Sequence, residues 1–283
     1  MSRRATFAYT SIARPVDPRY PTNAAVLVLM PIGGAIAAGV ALSSGAPWEM
    51  SIIDAVHGLL VVFGSWALTR EVAPDDNPAA FVGMAAAYSA FLIVGAPSVL
   101  LLFTTLGLVR IVNRSVGLPA RGLDSVCVLG LTTGAVFSLD GPLLGLVGGA
   151  AFVFDAMLRE PRRSQLLFAM ACVAGSALYL SLYSVELNFL GALSGFEAWL
   201  TTLVAIGSVV LMLRTGAITS VGDATGVQLY SERVRGGTLI ALLVGSQVFC
   251  CPSIGFQQSS AVWAALAGAS LGRLWDVTSS RVR

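Results

Sequence analysis

Lysine is absent from the 283 residues, and charge of either sign is scarce, with 17 basic residues, all arginine, and 15 acidic ones making up 11% of the chain. Ordinary globular chains carry roughly 25%. Without lysine there is no Walker A loop, no Schiff-base or pyridoxal lysine and no Ser-Lys dyad. A single histidine excludes any site that needs two imidazoles. Cys127, Cys172, Cys250 and Cys251 have no CxxC spacing, so neither a zinc site nor a thioredoxin-like motif is supported, and no cofactor is expected. The net charge of +2 argues against a nucleic-acid partner. What the chain does have is apolar length: 56% of it is hydrophobic, with 30 glycines. It is expected to be an all-α polytopic membrane protein in contact with membrane lipids.

A span needs about 20 apolar residues, fewer where the bilayer thins or flanking side chains snorkel. Ten segments qualify: 25–44, 51–69, 80–95, 98–112, 124–139, 142–158, 166–184, 197–213, 238–252 and 260–274. They form one transmembrane domain over 25–274, between a cytoplasmic segment 1–24 and a tail 275–283. Residues 80–112 and 124–158 could each be one long helix, but Gly95-Ala96-Pro97 and Asp140-Gly141-Pro142 sit at their midpoints as turn punctuation. Ser2-Arg3-Arg4 lies some twenty residues before the first apolar run, which reads as a retained span instead of a cleaved leader.

Arginine placement decides the count, because short cytoplasmic loops carry the basic excess. With ten spans and both termini cytoplasmic, all 17 arginines fall on the inner side, and the outer turns at 45–50, 96–97, 140–141, 185–196 and 253–259 hold none. Eight spans would put Arg110, Arg114 and Arg121 outside. The expected architecture is therefore five helical hairpins in the cell membrane, each entering from the cytoplasm and returning to an arginine: Arg70, Arg110, Arg159, Arg214 and Arg273. Trp48, Trp199 and Trp263 fall at outer span ends and Trp66 and Trp275 at inner ones, where the indole favours the headgroup layer.

Ionisable groups inside a membrane are costly and are functional candidates by default. Asp54 and His57 lie one turn apart on the second span and would share a face, suiting proton or ion coupling. The alternative is a capping Asp54 and a His57 bonded to a neighbouring helix. At the inner face, Asp75 and Asp76, with Arg114 and Asp155, are candidates for a lipid-processing site, although the third acidic residue of a metal-diphosphate motif is missing. Asn77 and Pro78 also suit a helix start, with Asn77 as the cap. Asn113 to Pro119 reads as a helix exit with Gly117 in the left-handed region. The connection 215–237 is expected to hold a turn and a short extended piece before Arg233 and Arg235.

Gly141, Gly145 and Gly149, and separately Gly268 and Gly272, form small-residue faces that permit close helix approach, within the bundle or in a homo-oligomer or larger membrane complex. Three functions fit: a small-solute or ion-coupled transporter first, a non-catalytic membrane subunit or assembly factor second, a lipid-processing enzyme third. Ten short spans at this length resemble the drug/metabolite transporter superfamily in topology alone, since the Gly-Glu of its fourth-span exit is missing.

Overall fold

The computed structural model describes residues 10–184, 195–251 and 253–280, the last eight by backbone alone. Arg3, Arg4, Arg281 and Arg283, the Trp275 and Arg273 side chains and nearly all of the expected outer turn at 185–196 lie outside the described residues. The described chain is helical, with no strand beyond one isolated Val221–Gln228 bridge. Its helices are α1 (Pro21–Ser43), α2 (Trp48–Val72), α3 (Asn77–Val94), α4 (Val99–Asn113), α5 (Gly122–Ser138), α6 (Pro142–Met157), α7 (Gln165–Leu182), α8 (Gly195–Arg214), α9 (Ser231–Gly245) and α10 (Phe256–Ser280). A 3-10 turn at Ser246–Phe249 extends α9. Five of them, α1, α2, α3, α7 and α8, are long and apolar enough to cross a membrane.

Both ambiguous segments are broken in two. Gly95, at φ +108°, ends α3, and the Ser98 side chain accepts the Leu101 N–H to start α4. Asp140, at φ +48°, divides α5 from α6, and its carboxylate accepts the Tyr179 hydroxyl at 2.7 Å. Other boundaries differ from expectation by about a turn or less, with two exceptions. Helix α10 runs to Ser280, six residues past the expected 274. The segment expected to begin at 238 begins at Ser231, because Arg233 is paired inside the protein and does not need water.

The centre of the bundle is α4, fifteen residues long and buried all round, as a helix without a polar stripe must be. It touches α2, α5, α6, α9 and α10. Its hydroxyls are satisfied locally: Thr105 Oγ1 donates to the Leu101 carbonyl at 2.7 Å and Thr104 Oγ1 to Leu131 of α5 at 3.2 Å. The exterior is apolar instead, with Val28, Ile32 and Ile36 on α1, Leu167 and Met170 on α7, and Leu203 and Ile206 on α8 all exposed. Contiguous apolar surface on this scale is what a lipid-facing protein presents.

The five-hairpin arrangement holds only in part. Helices α1 and α2, α5 and α6, and α9 and α10 pack as sequence neighbours, whereas α3 lies mainly against α10 and α2 and has no substantial contact with α4, nor α7 with α8. The reason is steric fit. A Cβ on Gly268 would come within 2.5 Å of Gly83 Cα and 2.8 Å of the Ala79 carbonyl, so α3 and α10 approach backbone to backbone. The other glycine faces are likewise filled inside the chain: Gly145 lies against Cys172 and Ser176 of α7, Gly149 against Ala169 and Val173, Gly141 against Ile254, and Gly272 against Asp76 and Ala79. Two tryptophans also depart from the interfacial pattern. Trp48 and Trp199 are exposed, but Trp66 and Trp263 are buried, each with its indole N–H unpartnered among the described residues.

Candidate functional site

Arginines collect at one end of the bundle because helices of alternating direction meet there. Arg70 and Arg110 end α2 and α4, Arg114 follows α4, and Arg233 opens α9. Arg114 closes α4 in the left-handed region at φ +50°, so the exit residue is Arg114 and not Gly117, which also has positive φ but lies in the loop beyond. This turn aims the Arg114 Nε at Asp155 Oδ1, 2.7 Å away, and its Nη1 at the Glu160 carbonyl. Arg233 Nη1 reaches the same Asp155 oxygen at 2.9 Å and also donates to the Val112 carbonyl, while its Nε and Nη2 donate to that of Arg159. The buried Asp155 thus joins α4, α6 and α9 as a structural tie.

The four inner-face candidates do not share one site. Asp75 accepts the backbone N–H groups of Thr219 at 2.9 Å and Ser220 at 2.7 Å, pinning the 215–230 connection. Burial pushes the Asp75 carboxyl up, but the hydrogen bonds from Ser220 and Thr219 outweigh it and hold the group below the usual carboxylate range. Asp76, one residue before the expected Asn77, is the cap of α3, accepting the Ala79 N–H at 2.9 Å. Asp has the geometry for this role, and starting one residue earlier puts Pro78 at the second helical position. The connection itself has the expected turn and short extended piece, with Gly222 N–H donating to Val227 and Leu229 N–H to Ser220.

Asp54 and His57 lie on α2 near Trp48, the end opposite the arginines, and no hydrogen bond or ion pair joins them. His57 Nδ1 faces the Ile53 carbonyl of its own helix at 3.2 Å, not a neighbouring helix, and Asp54 caps nothing, since α2 starts at Trp48. Neither lines a cavity among those described.

The polar cavity is elsewhere. A volume of about 310 Å³ opens at the arginine-rich end between the starts of α1 and α3, the ends of α2 and α4, the segment before α1 and the 215–230 connection. It reaches Phe63, nine residues from the end of α2 at Val72, or about 14 Å at 1.5 Å per residue. There Phe63 stacks on Phe103 of α4 with ring centroids 6.3 Å apart. Buried Glu71 faces the cavity and accepts from Arg110 Nε at 3.0 Å and Ser115 Oγ at 3.0 Å, with Arg14 Nη1 at 3.7 Å. Arg14 also grips Asp223 with two hydrogen bonds of 2.7 and 2.9 Å.

The segment before α1 is strapped across this end. Thr10 Oγ1 and Ser11 Oγ donate to the Asp124 carboxylate at 2.6 and 2.7 Å, and Arg110 Nη1 donates to the Ile12 carbonyl. The cavity's charged residues are thus drawn from parts of the chain up to two hundred residues apart, and Arg14, Arg70, Glu71 and Arg110 carry no spacing signal. Only the placement of Arg70, Arg110 and Glu71 beside span ends hints that they meet. Fold and surface define a membrane-protein-like helical bundle with a polar cavity at one end. No protein family, curated protein or solved structure matches the chain.

Proposed function

We propose that the protein is a ten-span carrier for a small solute in the cell membrane, with both termini on the cytoplasmic, arginine-rich side and its binding cavity open to that side. The observation that carries this reading is the polar cavity running about 14 Å along α2 and ending at the Phe63–Phe103 stack. A carrier open to one side needs a closed opposite side, and the buried apolar core of α4 supplies that closure. The shorter helices α4, α5 and α6, of 15 to 17 residues, cross with the help of flanking arginines and turns that sit in the headgroup layer.

Sided labelling tests the arrangement. In a Cys127→Ala, Cys250→Ala background, Thr22→Cys and Asn77→Cys should react with a membrane-impermeant maleimide only from the cytoplasmic side. Labelling from the other face alone, or of neither residue, would remove the cavity as a cytoplasmic vestibule.

A second reading, a non-catalytic subunit of a larger membrane complex, is favoured by the dry centre of the bundle, where Thr104 and Thr105 are satisfied by backbone carbonyls. A stoichiometric partner that stays bound through purification in mild detergent would favour it.

A further inference from the structure

The geometry points to an oxyanion, a carboxylate or phosphate group, as the ligand of this cavity, held between Arg70 and the N-terminus of α1. The inference deepens the carrier reading by naming its solute class, and it rests on that reading only for what happens to the ligand after binding.

Three observations converge. Helix α1 starts with Pro21, and no side chain among the described residues is seen to cap it. The first N–H groups of a helix have no partner within it, and in a helix of 23 residues they carry the positive end of the macrodipole. Thr22 and Asn23, which bear those groups, line the cavity. Such an end accepts anionic oxygen readily.

Second, a cation stands at that end. Arg70 Nη1 donates to Asn23 Oδ1 at 3.2 Å, and its guanidinium lies 5.2 Å from the centre of the Trp66 ring. Of the three arginines that line the cavity among the described residues, Arg14 is paired with Asp223 and Glu71, and Arg110 with Glu71. Arg70 has no carboxylate within ion-pair distance among the described residues.

Third, two neighbouring buried side chains, Asn23 and Trp66, offer donors without acceptors, whereas Glu71 Oε2 on the same cavity is a buried acceptor without a donor among the described residues. Asn23 is 9% exposed, and because its carbonyl oxygen accepts from Arg70, its Nδ2 is left without an acceptor among the described residues. Trp66 is 5% exposed with its Nε1 unpartnered. A guanidinium, an open helix end and an amide call for an acceptor, and a planar carboxylate or a phosphate meets the fork of Arg70 with two oxygens. Phe63 and Leu229 on the cavity wall leave room for a small apolar body on that group.

The test is calorimetric titration of the full-length protein in phosphatidylcholine nanodiscs with sodium benzoate, phenyl phosphate, inorganic phosphate and neutral benzamide. Benzoate or a phosphate should bind and benzamide should not. Arg70→Gln should weaken binding at least tenfold, and Arg70→Lys, which keeps the charge and the fold but loses the fork, should fall between. If the oxyanion is a lipid headgroup, the soluble probes will be silent, and nanodiscs containing phosphatidylglycerol will raise Tm in the wild type but not in Arg70→Gln. Benzamide binding as tightly as benzoate, Arg70→Gln binding unchanged, or no Arg70-dependent response to any of the anions would overturn the site. Oxyanion binding without flux would keep the site and remove the carrier; flux of a neutral solute indifferent to Arg70→Gln would do the reverse.

Discussion

Arg233 Nη1 donates to Asp155 Oδ1 at 2.9 Å, and the two side chains are 1% and 0% exposed. Arg114 shares the same oxygen at 2.7 Å, so one carboxylate balances two guanidiniums. Removing one partner of a buried ion pair leaves an uncompensated charge and costs about 3–5 kcal/mol. Asp155→Ala should therefore lower the thermal stability of the purified protein sharply. Asp155→Asn keeps the shape and an acceptor, and should cost less. Equal melting temperatures for wild type and Asp155→Ala would show that the tie does not hold the helices together.

Close packing of α3 on α10 predicts a second contrast. Gly268→Ala forces a methyl against the Gly83 backbone, which cannot yield as a side chain would, and overpacking of this kind costs about 1–3 kcal/mol. Gly130 on α5 has nothing within 4 Å of where a Cβ would stand. Gly130→Ala should be neutral or slightly stabilising, since glycine within a helix costs roughly 0.5–1 kcal/mol relative to alanine. Melting curves of the two variants side by side give the comparison.

The Asp75 tether should be sensitive to acid. Its carboxyl is held below its ordinary value in the folded protein, so the stabilisation is complete above the unfolded pKa and is lost as pH falls through the lower folded one. Amide exchange at Thr219 and Ser220, corrected for intrinsic rate, should be protected at neutral pH and should lose protection only below about pH 4, the ordinary carboxylate range. In Asp75→Asn the two amides should exchange faster even at neutral pH. Protection indifferent to both acid and substitution would mean that other contacts hold the connection.

The separation of Asp54 and His57 from the cavity predicts a functional contrast. Asp54→Asn and His57→Ala should leave solute binding at the arginine-rich end intact, whereas Arg70→Gln should lose it. Titration of the three variants with the same ligand decides it, and loss of binding in Asp54→Asn would link the two ends of α2.

Apolar runs and arginine placement made the helices legible in the sequence, including the breaks at Gly95 and Asp140, because turn chemistry and the expense of buried charge are local signals. Partner choice was not local. Nothing near Gly83 announces Gly268, and only three-dimensional fit separates α3 from α4. Arg233 was expected in a watery connector because an arginine reads as a helix boundary until its carboxylate is known, and Asp155 is 78 residues away. Trp66 reads as interfacial for the same reason: its cover comes from other helices. The cavity stayed hidden because its parts are individually ordinary, an open helix start, two arginines at helix ends and one in the segment before α1.

The central claim is that the cavity binds a solute which the protein then moves. Counterflow in proteoliposomes tests it most directly, using whichever radiolabelled oxyanion binds the wild type and measuring its exchange against an internal pool of the same compound. The account predicts exchange well above protein-free liposomes for the wild type and none for Arg70→Gln. Exchange at the protein-free level for a compound that demonstrably binds would contradict it.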